Sequence, residues 1–313
     1  IFAVFGGFAS DSGAMNVKNN QVNFIRGVAT ETHGAFSNFS NVLYNGVDVL
    51  GGLDVGQVYG GRSVNGSADY NWVTMSGGNA AGVFGGQSMN GHANYNRVDI
   101  FSGGDVVGDV IGGQSINSYA DYNRVDIFSG GEVGGNVIGA QAHNFASYNT
   151  VSISGGRIIG DVIGAQVYAN GVAIGNQLFI SGVTIEGNVH IVKESSSLGV
   201  FYPSKNQITL SGEPVIEGEI IDPWAANSRI LFHNFRGDIK QGISSNLDTF
   251  EFVVSKKASN ITPVTAVDLK DRNIQLHSVA LNENFQVGDV SVLLASASNT
   301  ADTKDFLGSS IYS

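Results

Sequence analysis

Asn96-Arg97-Val98-Asp99-Ile100-Phe101-Ser102-Gly103-Gly104, followed shortly by Val110-Ile111-Gly112-Gly113-Gln114, is the stretch that decides the fold. Val98 and Ile100 stand two residues apart, and Arg97 and Asp99 take the alternate positions, which is strand periodicity. The glycine pairs punctuate the strands and permit sharp bends. The first signal returns from Asn71 to Gly78, from Asn123 to Gly131 and from Asn149 to Gly156, with looser copies beginning at Asn20, Asn176 and Asn206. The second returns as Val58-Tyr59-Gly60-Gly61, Val83-Phe84-Gly85-Gly86-Gln87, Val137-Ile138-Gly139-Ala140-Gln141 and Val162-Ile163-Gly164-Ala165-Gln166. Its valines from Val58 onward are separated by 25, 27, 27 and 25 residues. The two longer units carry an extra Phe101 or Phe128 before Ser-Gly-Gly, which predicts a bulge or a longer turn there.

Strands this short bury no core alone. Stacked coil upon coil at about 4.8 Å, each pairs with its equivalent above and below, and the inward valines and isoleucines become continuous columns. The chain is therefore expected to be all-β, a right-handed parallel β-helix (solenoid) with coils of about 26 residues, the hand following the usual crossover preference. A propeller blade needs about 40 residues and does not fit this period. Asn71, Asn96, Asn123, Asn149, Asn176 and Asn206 share the parity of the inward valines, so their amides should hydrogen-bond from coil to coil. Gln87, Gln114, Gln141 and Gln166 should do likewise. Tyr70, Tyr95, Tyr122 and Tyr148, each just before a ladder asparagine, should stack on the outer face or at a corner.

Residues 1–215 carry the repeat. From about there on Pro214, Pro223 and Trp224 interrupt it, glycine thins out, and Arg229-Ile230-Leu231-Phe232 and Thr249-Phe250-Glu251-Phe252 read as strands of another kind. Residues 216–295 are expected to form a β-rich C-terminal cap, because an open solenoid end exposes unpaired strand edges. Residues 296–313 read as a polar tail or linker.

Composition narrows the function. Glycine is 43 of 313 residues and proline only 4, yet 42% of the chain is hydrophobic, which excludes a disordered linker and collagen. A net charge of −11 without a basic cluster argues against a nucleic-acid partner. With no cysteine, disulfides, thiolate metal sites and cysteine nucleophiles are excluded. No run of apolar residues is long enough for a transmembrane helix.

Catalytic signals are sparse. The 6 histidines are scattered without a His-x-x-x-His pair, and no Gly-x-Ser-x-Gly elbow occurs. Asp99 and Asp126 fall one coil apart with Arg97 and Arg124 beside them. Such a carboxylate pair would share a proton or hold a cation, or else belong to a solvated Arg–Asp lattice. Gly103-Gly104-Asp105 has neither the order nor the period of a calcium-binding nonapeptide. The expectation is no catalysis, no metal and no cofactor. A binding surface is the better reading: Tyr59, Phe84, Ile111, Ile138 and Ile163 lie between an inward Val and a Gly, so with Phe101 and Phe128 they would form an exposed apolar stripe.

The repeated Asn-x-Val-x-Ile-Ser-Gly-Gly with Val-x-Gly-Gly resembles the passenger domains of Gram-negative autotransporters (type V secretion), in the AIDA-like and pertactin-like group. Gly237-Asp238-Ile239-Lys240-Gln241-Gly242-Ile243 and Leu247-Asp248-Thr249-Phe250-Glu251-Phe252 are similar to the passenger-end autochaperone module. The resemblance implies a piece of a longer chain carrying an outer-membrane β-barrel, with this part extracellular at the cell surface or released. It implies an adhesin or a self-associating virulence protein active in aggregation or biofilm. Its partner would be a host cell-surface protein or glycan, or another copy of itself. A β-helix carbohydrate-active enzyme and a secreted toxin passenger are the alternatives.

Overall fold

The computed structural model describes residues 3–11, 15–52, 54–168, 171–194, 202–221, 227–243 and 249–254, and beyond them the strands Val264–Ala266, Asn273–Val279 and Leu294–Ser296. Among these residues there is no helix, and every strand pairing is parallel. The chain is a parallel β-solenoid. Each coil visits three long sheets in turn, of seven, nine and eleven strands. One complete coil runs through Gly78–Ala80, Gly82–Ser88 and Arg97–Ile100 before Gly104–Val106 begins the next. Residues 89–96 join the second strand to the third, and the matching segments of neighbouring coils form a fourth side, the loop edge.

Register follows the repeat. Val83 pairs with Val110, Val110 with Val137, and Val137 with Val162. Val98 lies over Val73 and under Val125, and Ile100 over Met75 and under Ile127. These columns are fully buried and, with Val106, Val133, Ile158 and Ile185 from the seven-stranded sheet, make one core along the rod. Each fully buried Val or Ile contributes about 1.5–3 kcal/mol of transfer free energy. Phe101 and Phe128 create no bulge: the pairs on either side of Ile127 stay in step. The extra residue lies in the turn, closed by Gly104 N–H to Phe101 O at 3.0 Å and Gly131 N–H to Phe128 O at 3.2 Å.

The coiling does not stop at residue 215. Arg229–His233 pairs in parallel with Gln207–Ser211, Thr249–Val254 pairs with Arg229–His233, and Asn273–Val279 extends the same eleven-stranded sheet. The sequence signal fades there because Ser228 takes the register position of the ladder asparagine, while the alternation of Ile230 and Phe232 still fills the core. Asp271 and Arg272, where Asp271-Arg272-Asn273 reads in the sequence as a turn between strands, lie outside the described residues, as does nearly all of the polar tail.

Candidate binding surface

The asparagine column is a continuous buried ladder. Asn71 N–H donates to Asn96 Oδ1 at 2.9 Å, Asn96 N–H to Asn123 Oδ1 at 2.9 Å and Asn123 N–H to Asn149 Oδ1 at 2.8 Å. Asn149 N–H reaches Asn176 Oδ1 at 2.9 Å, and Asn176 N–H reaches Asn206 Oδ1 at 2.8 Å. Each Oδ1 also accepts from the amide of the coil before, at 3.0–3.2 Å. Asn45 belongs to the column as well, donating to Asn71 Oδ1. The pattern Asn45-Gly46-Val47-Asp48-Val49 was a sufficient signal for it. The glutamines form a second, half-buried ladder in which Gln87 donates to Gln114, Gln114 to Gln141 and Gln141 to Gln166.

The expected apolar stripe divides. Ile111, Ile138 and Ile163 are 3%, 2% and 1% exposed, Tyr59 is buried and Phe84 half-buried. They do point away from the main core, forming a separate cluster, but they line a crease and present no open stripe. The cause is the glycine that follows. A Cβ on Gly112 would lie 2.4 Å from the carbonyl oxygen of Gly139 in the next coil. The same approach recurs along the stack and brings the nine-stranded sheet against the backbone of the eleven-stranded one: a Cβ on Gly60 would meet Trp72 N at 2.8 Å. The sheet bends inward here, so outer side chains three residues apart face each other. Arg62 lies 5.0 Å over the Tyr59 ring, and the Phe5 and Phe8 rings meet at 5.5 Å. Phe101 is 37% exposed and stacks on the half-buried Phe128 at 4.4 Å, at the corner between the eleven- and seven-stranded sheets.

The open aromatic surface is on the loop edge. Tyr44, Tyr70, Tyr95, Tyr122 and Tyr148 stack at 4.8–5.0 Å, are 42–50% exposed, and all have φ between 57° and 59°. A left-handed conformation costs a non-glycine residue about 1 kcal/mol or more, which ring stacking of about 0.5–1.5 kcal/mol per pair offsets. In other coils Asn19, Gly175 and Lys205 take the same left-handed place, and the ring of Tyr148 lies against Gly175. Beside the tyrosines run exposed Met89 and Ile116, then His92, Tyr119 and Phe145 in ring contact. An exposed amide ladder lies between them: Asn90 Nδ2 donates to Asn65 Oδ1, and Asn117 Nδ2 to Asn90 Oδ1, both at 2.9 Å. Sequence reading found Tyr70, Tyr95, Tyr122 and Tyr148 and missed Tyr44 and these companions, whose columns mix residue types. No lysine, arginine or glutamate occurs in 38–45, 64–71, 89–96, 116–123 or 143–149. The two carboxylates there, Asp69 and Asp121, accept backbone N–H bonds from Asn94 and Ser147, and burial pushes both above the usual carboxylate range.

Polar groups elsewhere form lattices. Arg97 Nε binds Asp99 at 2.8 Å, Arg124 Nε binds Asp126 at 2.6 Å, and Arg97 also reaches Asp126 at 3.3 Å. Burial raises the Asp99 carboxyl, against the pull of Arg97. Asp161 bonds Lys193 Nζ at 2.8 Å beside His190, 3.6 Å away. A shallow hollow of about 290 Å³ on the seven-stranded sheet is lined by Asp105, Glu132, Arg157, Val107 and Ile159 among others. Among the described residues no three His, Cys, Asp or Glu side chains are grouped to hold a metal, and no helix is long and apolar enough to cross a membrane. No protein-family model, curated protein or solved structure matches the chain.

Proposed function

We propose that this chain is a non-catalytic adhesive rod, displayed as an autotransporter-like passenger outside a Gram-negative cell, that engages its partner through the loop edge. The observation that carries the reading is the run of exposed tyrosines flanked by apolar and amide columns. Exposed apolar patches of this extent mark interaction surfaces, and tyrosine offers a large contact area with few rotamers to freeze. The parallel scaffold beneath holds the side chains at a fixed spacing, so little ordering cost falls on binding. The repeat's resemblance to passenger domains supports display at the surface, with a host protein, a glycan or another copy as the partner.

The test is adhesion of the purified rod to host cells and to a glycan array, followed by incubation with candidate polysaccharides. Saturable binding that falls when the edge tyrosines are replaced, with no shortening of any polysaccharide, is the expected result. Polysaccharide turnover would favour a β-helix carbohydrate-active enzyme, and host-cell lysis or vacuolation a toxin; either would overturn the assignment.

A further inference from the structure

We propose that the partner of the loop edge is the same edge of a second copy, the two rods lying side by side about a two-fold axis. The inference rests on the edge being the interaction surface. Three observations select a second copy. First, the chain carries −11, so two rods repel over most of their surfaces. Between residues 38 and 149 the loop edge lacks lysine, arginine and glutamate, Lys18 and Lys205 lying in coils to either side, and its two aspartates accept backbone N–H bonds. Acidic rods meet fewer opposing charges there than on the faces that carry Asp99, Asp126, Asp105 and Glu132.

Second, the area suffices. Ten large side chains on this edge, from Phe39 to Tyr148, are 38–50% exposed. At about 90 Å² each they present about 900 Å², against about 800 Å² per partner in a stable interface.

Third, the edge is periodic. The rings of Tyr44, Tyr70, Tyr95, Tyr122 and Tyr148 stack face to face along the rod at 4.8–5.0 Å over about 20 Å, so outward this column offers ring edges and hydroxyls. A surface with that repeat is best matched by another of the same repeat, and an isologous two-fold pairing satisfies both copies at once.

The test is sedimentation velocity on the whole chain up to about 100 μM, a range that reports weak and standard interfaces alike. The wild type should show a monomer–dimer equilibrium that persists in high salt. Replacing Tyr95 and Tyr122 with asparagine, which Asn19 shows the left-handed position accepts, should weaken it by at least about tenfold while leaving circular dichroism unchanged. Phe101→Ser with Phe128→Ser, at the opposite corner, should leave it intact. A wild type that stays monomeric, or a dimer indifferent to Y95N/Y122N, overturns the proposal. If the monomeric rod still binds cells or glycans through its tyrosines, the adhesive reading stands and only the second copy is rejected.

Discussion

Asn123→Ala removes one rung of the buried amide ladder, and its cost can be worked from the bonds it breaks. Asn123 Oδ1 accepts from Asn96 N–H at 2.9 Å and Asn96 Nδ2 at 3.1 Å, and Asn123 Nδ2 donates to Asn149 Oδ1 at 3.1 Å. Asn96 is 1% exposed, so its backbone N–H would be left without water or acceptor. Orphaning a buried donor costs about 1–3 kcal/mol, and the other two bonds carry about 1 kcal/mol each before any substitute partner is found. Asn96 Nδ2 keeps Ala68 O at 2.9 Å, and Asn149 Oδ1 keeps the backbone N–H of residue 123, which limits the loss. With a small void adding about 1 kcal/mol, the total is about 3–5 kcal/mol. A stack of repeats need not unfold in one step, so the assay is native-state hydrogen exchange read at Val98, Val125 and Val151. Asn117→Ala is the control: it removes one exposed rung and should change local opening by less than about 0.5 kcal/mol. Equal effects of N123A and N117A would refute the view that the inner amides are satisfied only by each other.

Gly112→Ala should destabilise strongly, by several kcal/mol on the scale of core overpacking (about 1–3 kcal/mol or more), because its Cβ would strike a carbonyl that is itself held in the sheet. Gly113→Ala should also destabilise, since its Cβ would lie 2.4 Å from the buried Asn123 amide and 2.5 Å from Ala93 O, but by less than Gly112→Ala, because Ala140 and Ala165 show that this register can take a methyl group; thermal melts of the two variants compare them directly. His33 is held below the ordinary histidine value of 6.5, chiefly by burial and against its bond to Glu31. The unfolded chain therefore takes up its proton first, so this stabilisation is present above 6.5 and lost as pH falls towards the lower folded value. Melting temperature should drop on acidification through that window, and His33→Phe, which suits a ring stacked between Phe5 and Tyr59, should blunt the drop.

Much of this was written in the repeat. Fixed spacing placed Val83, Val110 and Val137 over one another, and parity alone assigned the asparagines inward and the tyrosines to an outer stack. What parity missed was the shape of the sheet. Ile111 points away from the core as alternation requires, yet it is buried because Gly112 lets the sheet bend towards its neighbour, a tertiary contact that no local period encodes. The coils beyond residue 215 were hidden for a related reason. Ser228 drops the amide and the glycines thin out, so the conspicuous marks vanish while the apolar alternation that stacking needs goes on.

The amide ladder also gives the rod a direction. Backbone bonds between coils run both ways, as in Val83 N–H to Asp109 O and Arg97 N–H to Asn71 O, and their dipoles largely cancel. The ladder asparagines from Asn45 to Asn176 all donate N–H towards the later coil, so their dipoles add. One terminus of the column is electropositive and the other electronegative, as in a helix. Two such cylinders meeting end to end would attract head to tail and repel head to head.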